Sequence, residues 1–274
     1  MATNVTLRES QAVNTPRIRT PPKKISIKVP FDYTPSDDGT DENLLILLHG
    51  LGDTQIPFAR LGRQLKLPQT ATLALRAPEQ IPFLYEDAYQ WYTSFDELGE
   101  VVSRPNPTPA LELLDSVFKH LTEDCAWPPE KIHMFGFAQG GSVAVEFGIR
   151  WWKNELEKQR KQQKDTETPY TPKALGSIVT VAGPLLSYPT LSKPSSTPIL
   201  AIYRPYPAET TLSPSALSDL KKAYTYCHDV AIGSGEGMPR SKEEWEPIMR
   251  FWSEKLSRRQ VEGLYEVLSG GPAM

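Results

Sequence analysis

A chain of 274 residues with 39% hydrophobic and 23% charged side chains can bury a sizeable core, which excludes disorder over most of its length. Its formal net charge of -3 gives no global field to attract nucleic acid or an anionic membrane, so any such binding would have to be local and no nucleic-acid partner is expected. No apolar run reaches the roughly 18 to 20 residues that span a bilayer, and MATNVTLRESQAVNTPR lacks the apolar segment of a secretory signal, so a cytoplasmic protein is expected. Cys125 and Cys227 lie far apart, with no CxxC partner and no histidine at ligand spacing. They read as two thiols in a reducing compartment, with no disulfide framework, metal site or cofactor implied. The 26 prolines point to many rigid loops.

Residues 1–24 carry Arg8, Arg17, Arg19, Lys23 and Lys24 against Glu9, with no sustained period, and read as a flexible basic arm before a single domain over 25–274. KISIKVPF, from Lys24, alternates apolar and polar residues and predicts a strand. After an acidic loop comes LLILLHG, apolar on both faces, as expected of a parallel strand covered on both sides. The same signature returns at TATLALRAP, KIHMFGF, LGSIVTVAG and TPILAIYR. Helical periodicity falls between these runs at 58–65, 109–121, 142–152 and 216–226, with a last helix at 242–256. This alternation predicts an α/β fold: a mostly parallel central sheet with helices on both faces. Residues 153–173, KNELEKQRKQQKDTETPYTPK, read as a polar helical extension, solvated all round and broken at Pro169 and Pro172.

The most specific local signal is KIHMFGFAQGGSVAVEFG, a strand, a tight turn and a helix. The turn Gly136-Phe137-Ala138-Gln139-Gly140 has the glycines of the G-x-S-x-G nucleophile elbow and lacks its serine. With LLILLHGLGDT, with Ala77-Pro78 followed by Gln90-Trp91-Tyr92, and with Glu236-Gly237-Met238, all in this order, the chain resembles the phospholipase/carboxylesterase family of α/β hydrolases, whose members include acyl-protein thioesterases. The resemblance covers roughly residues 40 to 256 and implies the α/β-hydrolase fold.

It also implies where a Ser-Asp-His triad should sit. The nucleophile position holds Ala138, which has no oxygen to attack an acyl carbon. The acid position, just after TPILAIYR, falls on Pro207, and the base position, two residues after the E-G-M segment, on Arg240. Arginine keeps its proton at any ordinary pH and is no general base. All three positions have changed, which points to a native loss of chemistry rather than to a single trapping substitution. The resemblance further implies an oxyanion hole from the N–H groups of Leu51 and Gln139, with His49 ordering the loop, and a cleft wall of Phe83, Trp91 and Tyr92. A permanent cation at Arg240 would favour an anionic ligand or pair with Glu236 or Glu209.

Candidate substitutes for the nucleophile, acid and base are poorly placed. Ser142 lies one helical turn past Ala138, Glu209 reads as loop surface, and His228 precedes its strand and would emerge at the wrong end. His120 and His133 read as structural. The expectation is a catalytically degenerate carboxylesterase-like or acyl-protein-thioesterase-like protein that binds an acyl or anionic small molecule, or a protein partner, without hydrolysis. The alternatives are an active cytosolic serine hydrolase with a relocated nucleophile, and a purely structural subunit with no ligand in the cleft.

Overall fold

The computed structural model of the chain describes residues 5–9, 18–82, 87–165, 170–208, 210–259 and 265–269. In chain order the elements are β1 (Val5–Glu9), β2 (Phe31–Thr34), β3 (Asn43–Leu48), α1 (Gln55–Leu65), β4 (Thr70–Leu75), β5 (Glu79–Gln80), β6 (Tyr89–Gln90) and α2 (Thr108–Glu123). They continue as β7 (Ile132–Phe137), α3 (Gln139–Asp165), β8 (Ser177–Val181), β9 (Ile199–Tyr203), α4 (Pro214–Ala223), β10 (Cys227–Ala231), α5 (Lys242–Lys255) and β11 (Tyr265–Ser269). Seven strands form one sheet in the order β10-β9-β8-β7-β3-β4-β2, parallel throughout except for β2, which runs antiparallel to β4.

The apolar run of β3 explains the layering. Leu44, Ile46 and Leu48 pack on one face of the sheet with residues of α2, α3 and α4, among them Val117, Phe118, Phe147 and Leu220. Leu45 and Leu47 pack on the other face with Phe58 of α1 and with Ile248, Phe251 and Trp252 of α5. A strand buried on both faces needs no polar alternation, which is why its sequence reads as a continuous run. Helix starts are set by side-chain caps: Ser213 accepts from the Ala216 N–H at 3.2 Å, and Ser241 from the Glu244 N–H at 3.3 Å.

Three sequence expectations are corrected. The strand expected from Lys24 is a set of turns closed by Ser26 N–H and Ile27 N–H on the Lys23 carbonyl, and β2 begins only at Phe31. A strand would put Ile25 and Ile27 on one face; the turns bury Ile27 in the core and leave Ile25 in solvent. The stretch 18–24, expected as part of a loose arm, is fastened to the body. Arg19 N–H donates to Asp41 Oδ2 at 3.0 Å, its guanidinium reaches the Ala126 carbonyl, and Lys23 N–H donates to His120 Nε2 at 3.0 Å. Val5–Glu9 pairs antiparallel with Tyr265–Ser269.

The extension after Trp152 is not solvated all round. Helix α3 runs unbroken to Asp165, and the buried Glu155 accepts from Lys158 Nζ at 2.6 Å, the Tyr170 hydroxyl at 2.6 Å and Lys173 N–H at 2.9 Å. Trp151 Nε1 adds a bond to the Lys173 carbonyl at 2.8 Å, so the returning chain is tied to the helix.

Candidate functional site

In a parallel sheet with helical crossovers, ligands gather beyond the carboxyl ends of the strands, and the loops after β3, β7, β9 and β10 all leave from that edge. The turn between β7 and α3 places Ala138 at φ +47, in the left-handed region, at a cost of about 1 kcal/mol for a residue with a Cβ. Ala138 N–H donates to the Val181 carbonyl at 2.8 Å, and its carbonyl accepts from Ser142 N–H at 3.0 Å. The flanking glycines are sterically required. A Cβ on Gly136 would stand 2.2 Å from the Gly140 carbonyl oxygen, and one on Gly140 would stand 2.5 Å from the carbonyl oxygens of Leu48 and His49. The elbow therefore has its full backbone geometry with a methyl group at its apex.

His49 holds the loop after β3 from inside. Its Nε2 accepts from Ala77 N–H at 2.9 Å, so the ring proton sits on Nδ1 and is donated to the Gly50 carbonyl at 2.7 Å. Burial pushes the pKa of His49 down, which keeps the ring neutral, as this bonding requires. Leu51, two residues on, is exposed. Among the described residues no acceptor meets the N–H of Leu51 or of Gln139.

The Gln139 side chain joins the elbow to the segment after β6. Its Oε1 accepts from Trp91 N–H at 2.9 Å, and its Nε2 donates to the Tyr92 carbonyl at 2.9 Å and to Ser94 Oγ at 2.6 Å. Trp91 Nε1 donates to the His49 carbonyl at 2.8 Å, and its ring lies 5.4 Å from the imidazole. Trp91 and Tyr92 are buried. Ser142 is buried in the first turn of α3, one helical turn past Ala138. Phe83, expected on the same wall, and Glu209 lie outside the described residues.

At the other end of the edge, Pro207 is exposed in the turn after β9 and Arg240 is exposed just before α5. Arg240 contributes its backbone N–H to Glu244 Oε2 at 2.7 Å, and Glu209, one of its two expected side-chain partners, lies outside the described residues. The arginine that organises this region is Arg204, 2% exposed at the end of β9. Its Nε donates to the Gly237 carbonyl at 3.1 Å and Nη1 to the Gly233 carbonyl at 2.7 Å and to Glu244 Oε1 at 2.8 Å. Nη2 donates to the Met238 carbonyl and to Glu244 Oε2, both at 3.0 Å. These bonds occupy all the N–H donors a guanidinium has. Hydrogen bonds from Arg204, then from the Arg240 backbone, pull the Glu244 carboxyl down to about 2. Sequence reasoning missed this cluster. Its signal was an arginine closing the apolar strand TPILAIYR and a glutamate in the first turn of a capped helix.

Among the described residues, the serine–histidine and cysteine–histidine pairs lie away from the elbow. His133 Nδ1 and Ser177 Oγ are 2.8 Å apart inside the sheet, both fully buried, and burial pushes His133 down to about 3. Cys125 Sγ is 3.6 Å from His120 Nε2, where burial raises the thiol pKa and Lys23 N–H already donates to the same nitrogen. Both pairs lie toward the amino edge of the sheet. His228, as expected, is exposed near the start of β10, away from the carboxyl edge.

Comparison with known proteins bears on this arrangement. The sequence model of the phospholipase/carboxylesterase family matches residues 34–153. An uncharacterized hydrolase of Mycosarcoma maydis is 37% identical over 233 residues, which span 84% of this chain and 82% of that protein. The chain belongs to the phospholipase/carboxylesterase family of α/β hydrolases. The fold of this family member also resembles that of esterase PE8, with a TM-score of 0.65 and 19% identity over 83% of this chain and 99% of the esterase. The acyl-protein thioesterase 2 of Zea mays superposes with a TM-score of 0.61 and 18% identity over 84% of this chain and 100% of the thioesterase. Among the described residues no helix is long and apolar enough to cross a membrane.

Proposed function

We propose that this member of the phospholipase/carboxylesterase family has lost hydrolysis and works by binding, with an acyl or anionic small molecule or a protein partner at the carboxyl-edge cleft. The observation that carries the reading is Ala138: the elbow retains its strained backbone and its glycines, and the atom that would attack an ester is missing. Pro207 and Arg240 at the acid and base positions point the same way, because a triad acts as a unit and its members lose value together. Where an aspartate would orient a histidine across this edge, Arg204 and Glu244 tie the loop after β10 to the end of β9.

In this reading the N–H groups of Leu51 and Gln139 hold a carbonyl or anionic oxygen, His49 keeps their loop in place, and Trp91 and Tyr92 back the cleft. The free thiols Cys125 and Cys227 fit a reducing compartment such as the cytoplasm. The unit is read as one α/β-hydrolase domain over residues 25–274.

The test is hydrolysis of p-nitrophenyl acetate, butyrate and octanoate and of an acyl-CoA by wild type beside an Ala138→Ser, Arg240→His double variant, with fluorophosphonate labelling of both. Wild type should stay at the buffer rate and take up no label. Turnover with stoichiometric labelling would overturn the proposal and establish a relocated nucleophile.

A further inference from the structure

Four residues after Trp91, the chain forms a small hairpin. Phe95 and Val101 form an antiparallel bridge, Asp96 N–H donates to the Glu100 carbonyl at 2.9 Å, and Val102 N–H to the Ser94 carbonyl at 2.8 Å. The tip is closed by Gly99 at φ +78 and by the Asp96 carboxylate, whose Oδ1 accepts from Leu98 N–H and Glu100 N–H, both at 2.9 Å. The base is fixed to the elbow through Gln139 Nε2 and Ser94 Oγ. The finger is thus built by its backbone, by one carboxylate and by the anchor at Ser94, leaving its larger side chains outside.

Those side chains are apolar. Phe95 is 48% exposed, Leu98 86% and Val101 75%. An ordered hairpin that holds three large apolar groups in water forgoes the free energy of covering them, and such patches mark contact surfaces. Between the apolar groups stand Asp96, Glu97 and Glu100, all exposed, against a single cation, Arg104, beyond the base. That acidic charge repels an anionic lipid surface and attracts lysine and arginine.

We propose that the finger at 94–102 docks a protein partner through a basic amphipathic segment, with Phe95, Leu98 and Val101 covered by its apolar stripe and Glu97 and Glu100 facing its cations. The site adjoins the cleft, and its binding is independent of whether the cleft hydrolyses. Ester turnover by the wild type would overturn the non-hydrolysing reading and leave this inference standing.

The probe is an amphipathic Leu/Lys helical peptide, titrated against the full chain by fluorescence anisotropy beside its Leu/Glu counterpart. Phosphatidylcholine vesicles with and without phosphatidylserine complete the set. The Leu/Lys peptide should bind, more weakly as salt rises, and the Leu/Glu peptide should not. Phe95→Ser with Leu98→Ser, and separately Glu97→Gln with Glu100→Gln, should each weaken binding about ten-fold, the size of a modest interface hot spot. Neither pair touches Asp96 or the backbone bonds that build the hairpin, and Ile25→Ser, on the opposite edge, should change nothing. Absence of binding, or binding that both finger pairs leave intact, would overturn the inference. Vesicle binding that depends on Leu98 would overturn it in favour of a lipid surface.

Discussion

The guanidinium of Arg204 and the carboxylate of Glu244 meet edge to edge, Nη1 2.8 Å from Oε1 and Nη2 3.0 Å from Oε2, across the gap between the end of β9 and the start of α5. The same guanidinium holds three carbonyls of the intervening loop, so one side chain sets the shape of the loop between β10 and α5. Removing one partner of such a pair strands the other. Arg204→Met is expected to lower stability by about 3 kcal/mol in urea unfolding, and the loop at 233–238 should become the first point cut by a protease.

The pair also fixes an acid dependence. Glu244 titrates near 2 in the folded chain against an ordinary carboxyl value of 4.5, so its depressed pKa contributes stability that is fully present above the unfolded value and is lost as pH falls through the folded one. The melting-temperature gap between wild type and Glu244→Gln should be constant at neutral pH and close progressively below pH 4.5. A gap that stays open at the lowest pH measured would contradict the role assigned to the carboxylate.

His133 works over a higher range. Burial pushes its folded pKa down to about 3, so below the ordinary histidine value of 6.5 the unfolded chain binds a proton that the folded chain refuses. Stability should therefore fall as pH drops from 6.5, by at most about 1.4 kcal/mol per pH unit for each such group. His133→Leu should flatten part of that slope, and His49, lowered for the same reason, should account for more of it.

The elbow predicts opposite responses to one methyl group. Ala138→Gly relieves a positive φ and should leave stability unchanged or raise it by up to about 1 kcal/mol. Gly140→Ala puts a Cβ 2.5 Å from two backbone oxygens and should cost several times that or prevent folding. Thermal melts of the two purified variants make the comparison.

The legibility of this chain followed the periodicity of its elements. Runs such as LLILL and TATLAL are apolar because both faces are covered, and no local alternative competes with that pattern. KISIKVP misled because alternation over so few residues fits a pair of turns as well as a strand, and Pro30 gives up the N–H that a longer strand would use. The glycine spacing of the elbow was legible because the steric contacts at Gly136 and Gly140 leave no other residue. Arg204 was not. Its partners lie at positions 233 to 244, and only the parallel pairing of β9 with β10 brings them to it.

The short ribbon of Val5–Glu9 and Tyr265–Ser269 sets Val5 opposite Ser269 and Glu9 opposite Tyr265. A two-stranded ribbon is marginal by itself, and deleting either strand removes the other's hydrogen-bonding partner. The ribbon ties together segments far apart in the chain, so donor and acceptor dyes on the two strands should report high energy transfer until the ribbon unzips.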